Sequence, residues 1–178
     1  MSRLVGVVGS RSLPASFSPL VSSVVSFFLA RGFRVASGGA LGADSFALSA
    51  LLSRGASASG VVFSAWSSAS GFPASVRPSV SLFLASGGQV VWGSGSSGGS
   101  RGSVVSALLG RNRLLVSSCS VVVAFLFGSS RGSLFSVREA VSRGVPVVVF
   151  LCGGGASLPA DLASRCFVFS GEEVIRSW

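Results

Sequence analysis

Two apolar runs, each ending at a glycine–serine turn that carries an arginine, constrain this chain most. The first is Val5-Gly6-Val7-Val8-Gly9-Ser10-Arg11. The second is Val121-Val122-Val123-Ala124-Phe125-Leu126-Phe127-Gly128-Ser129-Ser130-Arg131-Gly132-Ser133. A strand buried on both faces shows no polar alternation, so it reads as a continuous Val/Leu/Phe run. A helix pattern follows each turn. Backbone N–H groups and a helix N-terminus then point at one spot, an arrangement that suits an anionic phosphate. In parallel sheets ligands bind at the carboxyl ends of the strands.

The rest of the chain alternates in the same way. Strands are expected at Leu4–Val8, Phe33–Ala36, Gly60–Phe63, Gln89–Trp92, Val121–Phe127, Val145–Leu151 and Arg165–Phe169. Helices are expected over Pro19–Arg31, Gly42 or Ala43 to Arg54, Pro78–Ala85, Ser103–Ser118 and Ser133–Arg143, with a short one from Gly171. Leu20, Val24, Phe27 and Phe28 form the apolar face of the first. Gly32 and Gly55 stop the first two helices. Segments 66–77 and 93–102 read as loops. Pro146 fits an edge strand or the first residue of a strand. This order predicts an α/β fold: a doubly wound, mostly parallel sheet with helices on both faces. At 178 residues we expect one domain over 1–178.

Composition excludes several chemistries. The chain has no His, so His-based triads, bases and metal sites are out. Cys119, Cys152 and Cys166 lack CxxC spacing, which argues against zinc or a redox pair. Three cysteines in apolar surroundings suit a reduced, cytoplasmic chain, and Cys119 and Cys152 read as core. Met1–Val8 is too short for a signal-peptide core. Mean hydropathy is +0.74, and the uncharged stretches 12–30 and 114–130 approach the roughly 20 residues that span a bilayer. Pro14, Pro19, many serines and the Gly128 turn argue against that, so no membrane partner is expected.

The net charge of +9 suggests a polyanionic partner. It needs discounting, because Lys, Thr, Tyr and His are absent and Asn, Gln, Ile and Met occur once each. All eight types use codons with A in the first or second position. Arg therefore stands in for Lys, and part of the charge is a by-product of coding bias. The same bias sharpens Asp44, Gln89, Asn112 and Glu139, which persist against it.

Candidate ligand residues follow from the turns. Gly9 and Ser10 let the backbone approach a phosphate, and Arg11 can pair with it bidentately. The bland alternative is a tight turn with a solvated arginine. Ser37, Gly38, Gly39 and Gly42 form a second anion nest at a helix start. Asp44 there can instead complement the helix dipole. Arg111 and Arg113 flank Asn112 on a helix, a pattern suited to phosphate pairing plus a base or backbone hydrogen bond. The alternative is solvated helix charge. Gly128, Arg131, Gly132 and Ser133 make the third nest. Trp66 and Phe72 can stack on a base or pack in the core. Arg11 and Arg113 are expected at the carboxyl edge of the sheet, beside the Gly38–Gly39 and Gly132–Ser133 turns.

Four segments carry a family resemblance: Gly9-Ser10-Arg11, then Ser37-Gly38-Gly39-Ala40-Leu41-Gly42-Ala43-Asp44, then Arg111-Asn112-Arg113, then Gly132-Ser133-Leu134-Phe135-Ser136. In this order they resemble the Rossmann-like domain of the DNA-processing protein A family, within the SLOG superfamily. Small YspA-like proteins are also similar. The resemblance spans roughly Leu4 to Leu151. It implies binding of single-stranded nucleic acid, with phosphates on the Gly/Ser turns and arginines. The related cytokinin-activating phosphoribohydrolases carry a catalytic Glu where this chain has Ser136, and Glu139 lies a helical turn later. Nucleotide N-glycosidase chemistry is therefore disfavoured, and we assign no catalytic residue, metal or cofactor.

Two function classes follow. One is a binding protein for single-stranded DNA or RNA. The other is a nucleotide-binding sensor or small nucleotide-processing enzyme. The first is favoured by net charge and the Arg-Asn-Arg element, the second by small size. A high apolar content predicts a homo-oligomer. A recombinase partner is compatible with the resemblance, and nothing in the sequence supports it.

Overall fold

The computed structural model describes residues 3–176. Seven strands form one sheet: β1 (Leu4–Gly9), β2 (Arg34–Ser37), β3 (Gly60–Phe63), β4 (Gln89–Val91), β5 (Val121–Leu126), β6 (Val147–Leu151) and β7 (Phe167–Ser170). Their order is β4-β3-β2-β1-β5-β6-β7, and every pairing is parallel. Among the described residues six helices connect them, α1 (Ser18–Leu29), α2 (Ala43–Ser53), α3 (Arg77–Ala85), α4 (Arg101–Ser118), α5 (Arg131–Ser142) and α6 (Ala160–Ala163), and α7 (Gly171–Arg176) follows β7. This is the doubly wound, Rossmann-like architecture expected.

The continuous apolar runs explain why both faces are covered. Successive side chains point to opposite faces. Val5 and Val7 of β1, with Val123 and Phe125 of β5, join a core built on α1, α2 and α3. Leu4 and Val8, with Val122, Ala124 and Leu126, join a second core built on α4, α5 and α6. Burying each such side chain is worth about 1.5–3 kcal/mol. At Gly6 any Cβ would stand 2.9 Å from Leu115 Cδ2 and 3.0 Å from Cys119 Sγ, so the missing side chain lets α4 close on β1. Cys119 and Cys152 are buried, and burial pushes both thiols up to about 12.

Several expectations shift. Leu20, Val21 and Val25 are the buried residues of α1, while Phe27 is 49% exposed. Four of its 12 residues are serines, and the buried set is turned from Phe27 towards Val21 and Val25. Pro146 does not lie on an edge, because β6 runs between β5 and β7. It immediately precedes the strand, and its carbonyl accepts from the Val122 N–H at 3.0 Å. Helix α4 starts two residues early, capped by Ser100, whose Oγ accepts from the Ser103 N–H. Helix α5 also starts early, which places Arg131, Gly132 and Ser133 in its first turn. The stretch 12–30 folds as a short turn and α1, and 114–130 is split between α4 and β5. No helix among the described residues is long and apolar enough to cross a membrane.

Candidate nucleic-acid interface

The connection after β1 leads towards β2, whereas β5 lies on the other side of β1. The carboxyl ends of β1 and β5 therefore flank the crevice where ligands bind in such sheets. Ser10 ties this crevice together. Its Oγ donates to the Phe127 carbonyl at 2.9 Å and accepts from the Phe127 N–H at 2.8 Å. Its own N–H donates to the Phe125 carbonyl, and its carbonyl accepts from Leu13 and Ala43. Ser10 is buried, so its hydroxyl braces the β1 and β5 loops.

A cleft of about 180 Å3 opens beside this knot. Arg11, Gly38, Gly39 and Arg111 form its polar side; Trp66, Phe72 and Leu108 are among its apolar walls. Gly39 holds a φ of +67°, and its missing side chain makes room for Phe72. Trp66 packs over Gly71, where any Cβ would fall on the indole. Phe72 is buried and Trp66 half-buried. The phenyl ring is thus core, and the indole is the aromatic surface the cleft presents.

Asp44 and Arg111 meet under the Gly38 turn. Arg111 Nη1 lies 3.4 Å from Asp44 Oδ2, with side chains 8% and 7% exposed. Asp44 Oδ2 also accepts from the Ala40 N–H at 3.2 Å. Burial raises the Asp44 pKa, and Arg111 works against that shift. Burial likewise lowers the Arg111 pKa, and its carboxylate partner opposes the change. Arg11 adds repulsion on Arg111. Asp44 therefore does more than complement the α2 dipole.

The other candidates lie on α4, in the turn after β5, in the first turn of α5 and in the turns before α2. Asn112 Nδ2 donates to the Gly132 carbonyl at 3.4 Å, linking α4 to the first turn of α5. Gly128 takes a φ of +58°, and its N–H donates to the Gly153 carbonyl. Ser133 is buried, with its Oγ 2.6 Å from Ser130 Oγ. Arg131 is exposed at the start of α5, whose first turn holds no acidic residue. Gly9 has no space for a side chain: a Cβ would stand 2.6 Å from both Ala43 Cβ and the Phe125 carbonyl. Gly42 occupies the cap of α2 at φ 71°, ψ −127°.

Arg113 departs from expectation. Its guanidinium lies over the Phe135 ring at 5.2 Å, and Nε is 4.0 Å from Glu139 Oε2. It leans along α5, because Arg111 and Arg113 leave α4 about 200° apart. The sequence pattern did not separate the two arginines. It also missed Leu108, Val104 and Pro73 as cleft residues, which only tertiary packing assembles. Ser136 is buried and donates to the Gly132 carbonyl of its own helix at 3.2 Å. Glu139 is held by Arg143 Nε at 2.7 Å. Among the described residues no His/Cys/Asp/Glu group is placed to hold a metal ion.

Solved structures share this fold. The DNA processing protein A structure from Helicobacter pylori, described by its single-stranded DNA binding mode, superposes at TM-score 0.72 with 20% identity. The match covers 98% of this chain and 79% of that one. The Streptococcus pneumoniae DNA processing protein A matches at TM-score 0.67 and 21% identity, covering 99% of this chain and 62% of that one. A molybdenum cofactor binding protein from Rippkaea orientalis shares the fold at TM-score 0.64 and 17% identity, with 99% and 97% covered. Among curated proteins none matches the chain. The family model of DNA recombination-mediator protein A matches residues 1–167. The chain belongs to that family.

Proposed function

We propose that this protein binds single-stranded nucleic acid across the crevice at the carboxyl ends of β1, β2 and β5, with phosphates on Arg11 and Arg111 and a base against Trp66. The observation that carries this reading is the cleft itself, which puts two guanidiniums and an indole around one space. Stacking on an aromatic face is tolerant of base identity and needs an unpaired base. Outside the cleft, Arg101 and Arg131 are the first residues of α4 and α5. Arg11, Arg101 and Arg131 have no acidic partner within ion-pair distance among the described residues. Helices α4 and α5 begin without acidic side chains, so their N-terminal dipoles add to the positive field.

Fluorescence anisotropy with an oligo-dT strand, its RNA counterpart, duplex DNA and a mononucleotide tests the reading. The single strand is expected to bind more tightly than the duplex. Its log affinity should fall linearly with log salt, by about 0.7 per phosphate contacted. Equal affinity for duplex and single strand would sink the proposal. Tight mononucleotide binding without length dependence would instead support a nucleotide sensor. No catalytic step is proposed: Ser136 is bonded to its own helix, and Glu139 is paired on the α5 surface.

We also propose self-association through β7. This edge strand exposes Phe167, Val168 and Phe169, at 66%, 38% and 47%. A neighbouring groove of about 350 Å3 is lined by Phe27, Phe28, Val148 and Phe150. An unblocked apolar edge is a template for strand pairing. The occupant we favour is a second copy, paired antiparallel. That arrangement brings the Arg165 end of one strand to the Glu172–Glu173 end of the other, twice over. Light scattering should show a dimer at micromolar concentration that Phe167→Glu converts to monomer. A monomeric parent protein would contradict it.

A further inference from the structure

The aromatic wall of the cleft stands in a segment with little regular structure, yet it is fixed from three directions. Trp66 follows the end of β3 by three residues, and connecting segments of that kind are normally the mobile part of a domain. Here Ser64 intervenes. Its buried hydroxyl accepts from the Trp66 N–H at 2.9 Å and donates to the Trp66 carbonyl at 3.1 Å. One side chain thus holds both polar groups of the Trp66 backbone. The segment after β4 adds a second tie. The Gly93 N–H donates to the Trp66 carbonyl and the Gly95 N–H to the Ala65 carbonyl, both at 3.0 Å, and the Ser67 N–H donates to the Gly95 carbonyl at 3.3 Å. These bonds carry the β3–β4 pairing past the ends of the two strands.

The indole rests on the turn over Ala69–Gly71. A Cβ at Gly71 would fall on Trp66 Cγ and stand 2.6 Å from Cδ1, so the missing side chain is the seat of the ring. Gly71 is not among the glycines with positive φ; space, not backbone conformation, demands glycine there. Arg77 holds this turn. Its Nε donates to the Phe72 carbonyl at 2.9 Å and its Nη2 to the Ser70 carbonyl at 2.7 Å. The two carbonyls flank Gly71, and the planar fork of the guanidinium fixes their spacing. Arg77 is also the first residue of α3, where a cation works against the helix dipole. The bonds to the preceding turn offset that cost.

We propose that Ser64 and Arg77 are positioning residues for Trp66: Ser64 fixes its peptide, Arg77 fixes the turn on which its ring lies, and the cleft thereby presents a preformed stacking surface to an unpaired base. Neither side chain needs to touch the ligand. Ser64 is 4% exposed, and Arg77 lies outside the residues that line the cleft. A ring already held in place does not have to be ordered when the base arrives. The positioning depends on contacts within the protein; its effect on affinity rests on the nucleic-acid reading.

Two measurements on the full chain test this. The first needs no ligand. The three tryptophans give three indole N–H signals in a heteronuclear NMR spectrum, and the one lost in Trp66→Ala belongs to Trp66. In the parent that signal should relax as rigidly as the core backbone. In Ser64→Ala and in Arg77→Ala it should gain picosecond-to-nanosecond motion. An indole as rigid in either variant as in the parent would overturn the part assigned to that residue, whatever the strand does. The second measurement is anisotropy with an oligo-dT strand. Trp66→Ala should weaken binding roughly tenfold, and Arg77→Ala roughly two- to tenfold. Adding Arg77→Ala to Trp66→Ala should cost nothing further, because Arg77 acts only through the ring. Additive losses would overturn the proposal and show that Arg77 meets the strand itself. Arg77→Lys keeps the charge without the fork, so it should bind as weakly as Arg77→Ala. Parental affinity in that variant would show that charge alone matters and would overturn the role of Arg77. If the indole loosens as expected while Trp66→Ala binds like the parent, the positioning stands and the stacking part of the nucleic-acid reading falls.

Discussion

Gly42→Ala is expected to lower stability by about 2–6 kcal/mol, a large share of the 5–15 kcal/mol typical of a folded domain. Two terms add. The φ 71°, ψ −127° conformation is open essentially to glycine, and forcing another residue into it costs about 1–3 kcal/mol. The new Cβ would also fall on the Ser10 carbonyl and stand 2.9 Å from the Arg11 carbonyl carbon. Crowding of that kind costs about 1–3 kcal/mol more. Because the obstacle is backbone, no rotamer change relieves it. The Ser10 carbonyl accepts from the Ala43 N–H at 3.4 Å, so the start of α2 would move off β1 and take Asp44 with it. A melt followed by circular dichroism should show a fall on the order of 5–20 °C. A fall of less than about 2 °C would mean that Gly42 is present for a ligand rather than for the fold.

The turn glycines show how far sequence reasoning reaches. Their positions after strands were legible, because an apolar run that stops at Gly/Ser has one good reading in a parallel sheet. Their individual reasons were not. Gly9 makes room for Ala43 and the Phe125 carbonyl, Gly39 for Phe72, Gly42 for the Ser10 carbonyl and Gly38 for Arg111. Each reason is a contact between segments far apart in the chain, and spacing within one segment does not encode it. The buried face of α1 was read slightly rotated: Leu20 is buried as expected, but the buried set turns to Val21 and Val25 rather than Phe27, a choice made by contacts with α2 that the helix's own pattern does not encode.

Coding bias was the more useful guide to polar residues. Asp44 pairs with Arg111, and Asn112 donates to the Gly132 carbonyl. Gln89 Oε1 accepts from Arg34 Nη2 at 2.6 Å, and Glu139 accepts from Arg143 Nε. Three of these contacts join separate elements; the Glu139–Arg143 contact lies within α5, while its weaker one with Arg113 reaches α4. A chain that replaces Lys by Arg and Thr by Ser wherever it can retains an amide or carboxylate where no substitute makes the bond. Arg111 and Arg113 remained indistinguishable to that argument, since Arg is the cheap residue here.

Asp44 separates stability from binding most sharply. Removing one partner of a buried ion pair leaves the other charged and uncompensated, at a cost of about 3–5 kcal/mol. Asp44→Ala should therefore lower the melting temperature by on the order of 10 °C. It also frees Arg111 and the Ala40 N–H, so binding of an oligo-dT strand should fall with it. The loss in that single variant is ambiguous, because a loosened fold also binds poorly. Replacing both partners by apolar side chains of similar size removes the ambiguity. Such exchanges of a buried pair are often neutral or stabilising, by up to about 4 kcal/mol. The pair here is long at 3.4 Å, and burial opposes the charge on both groups, so little favourable energy is lost. Asp44→Leu combined with Arg111→Met should thus melt near or above the parent while binding single-stranded DNA at least roughly tenfold more weakly. A double variant that keeps its affinity would show that the buried pair serves the fold and that the strand is held by the outer arginines alone. One that melts as low as Asp44→Ala would show that the bond to the Ala40 N–H, rather than the unpaired charge, is what the fold needs from Asp44.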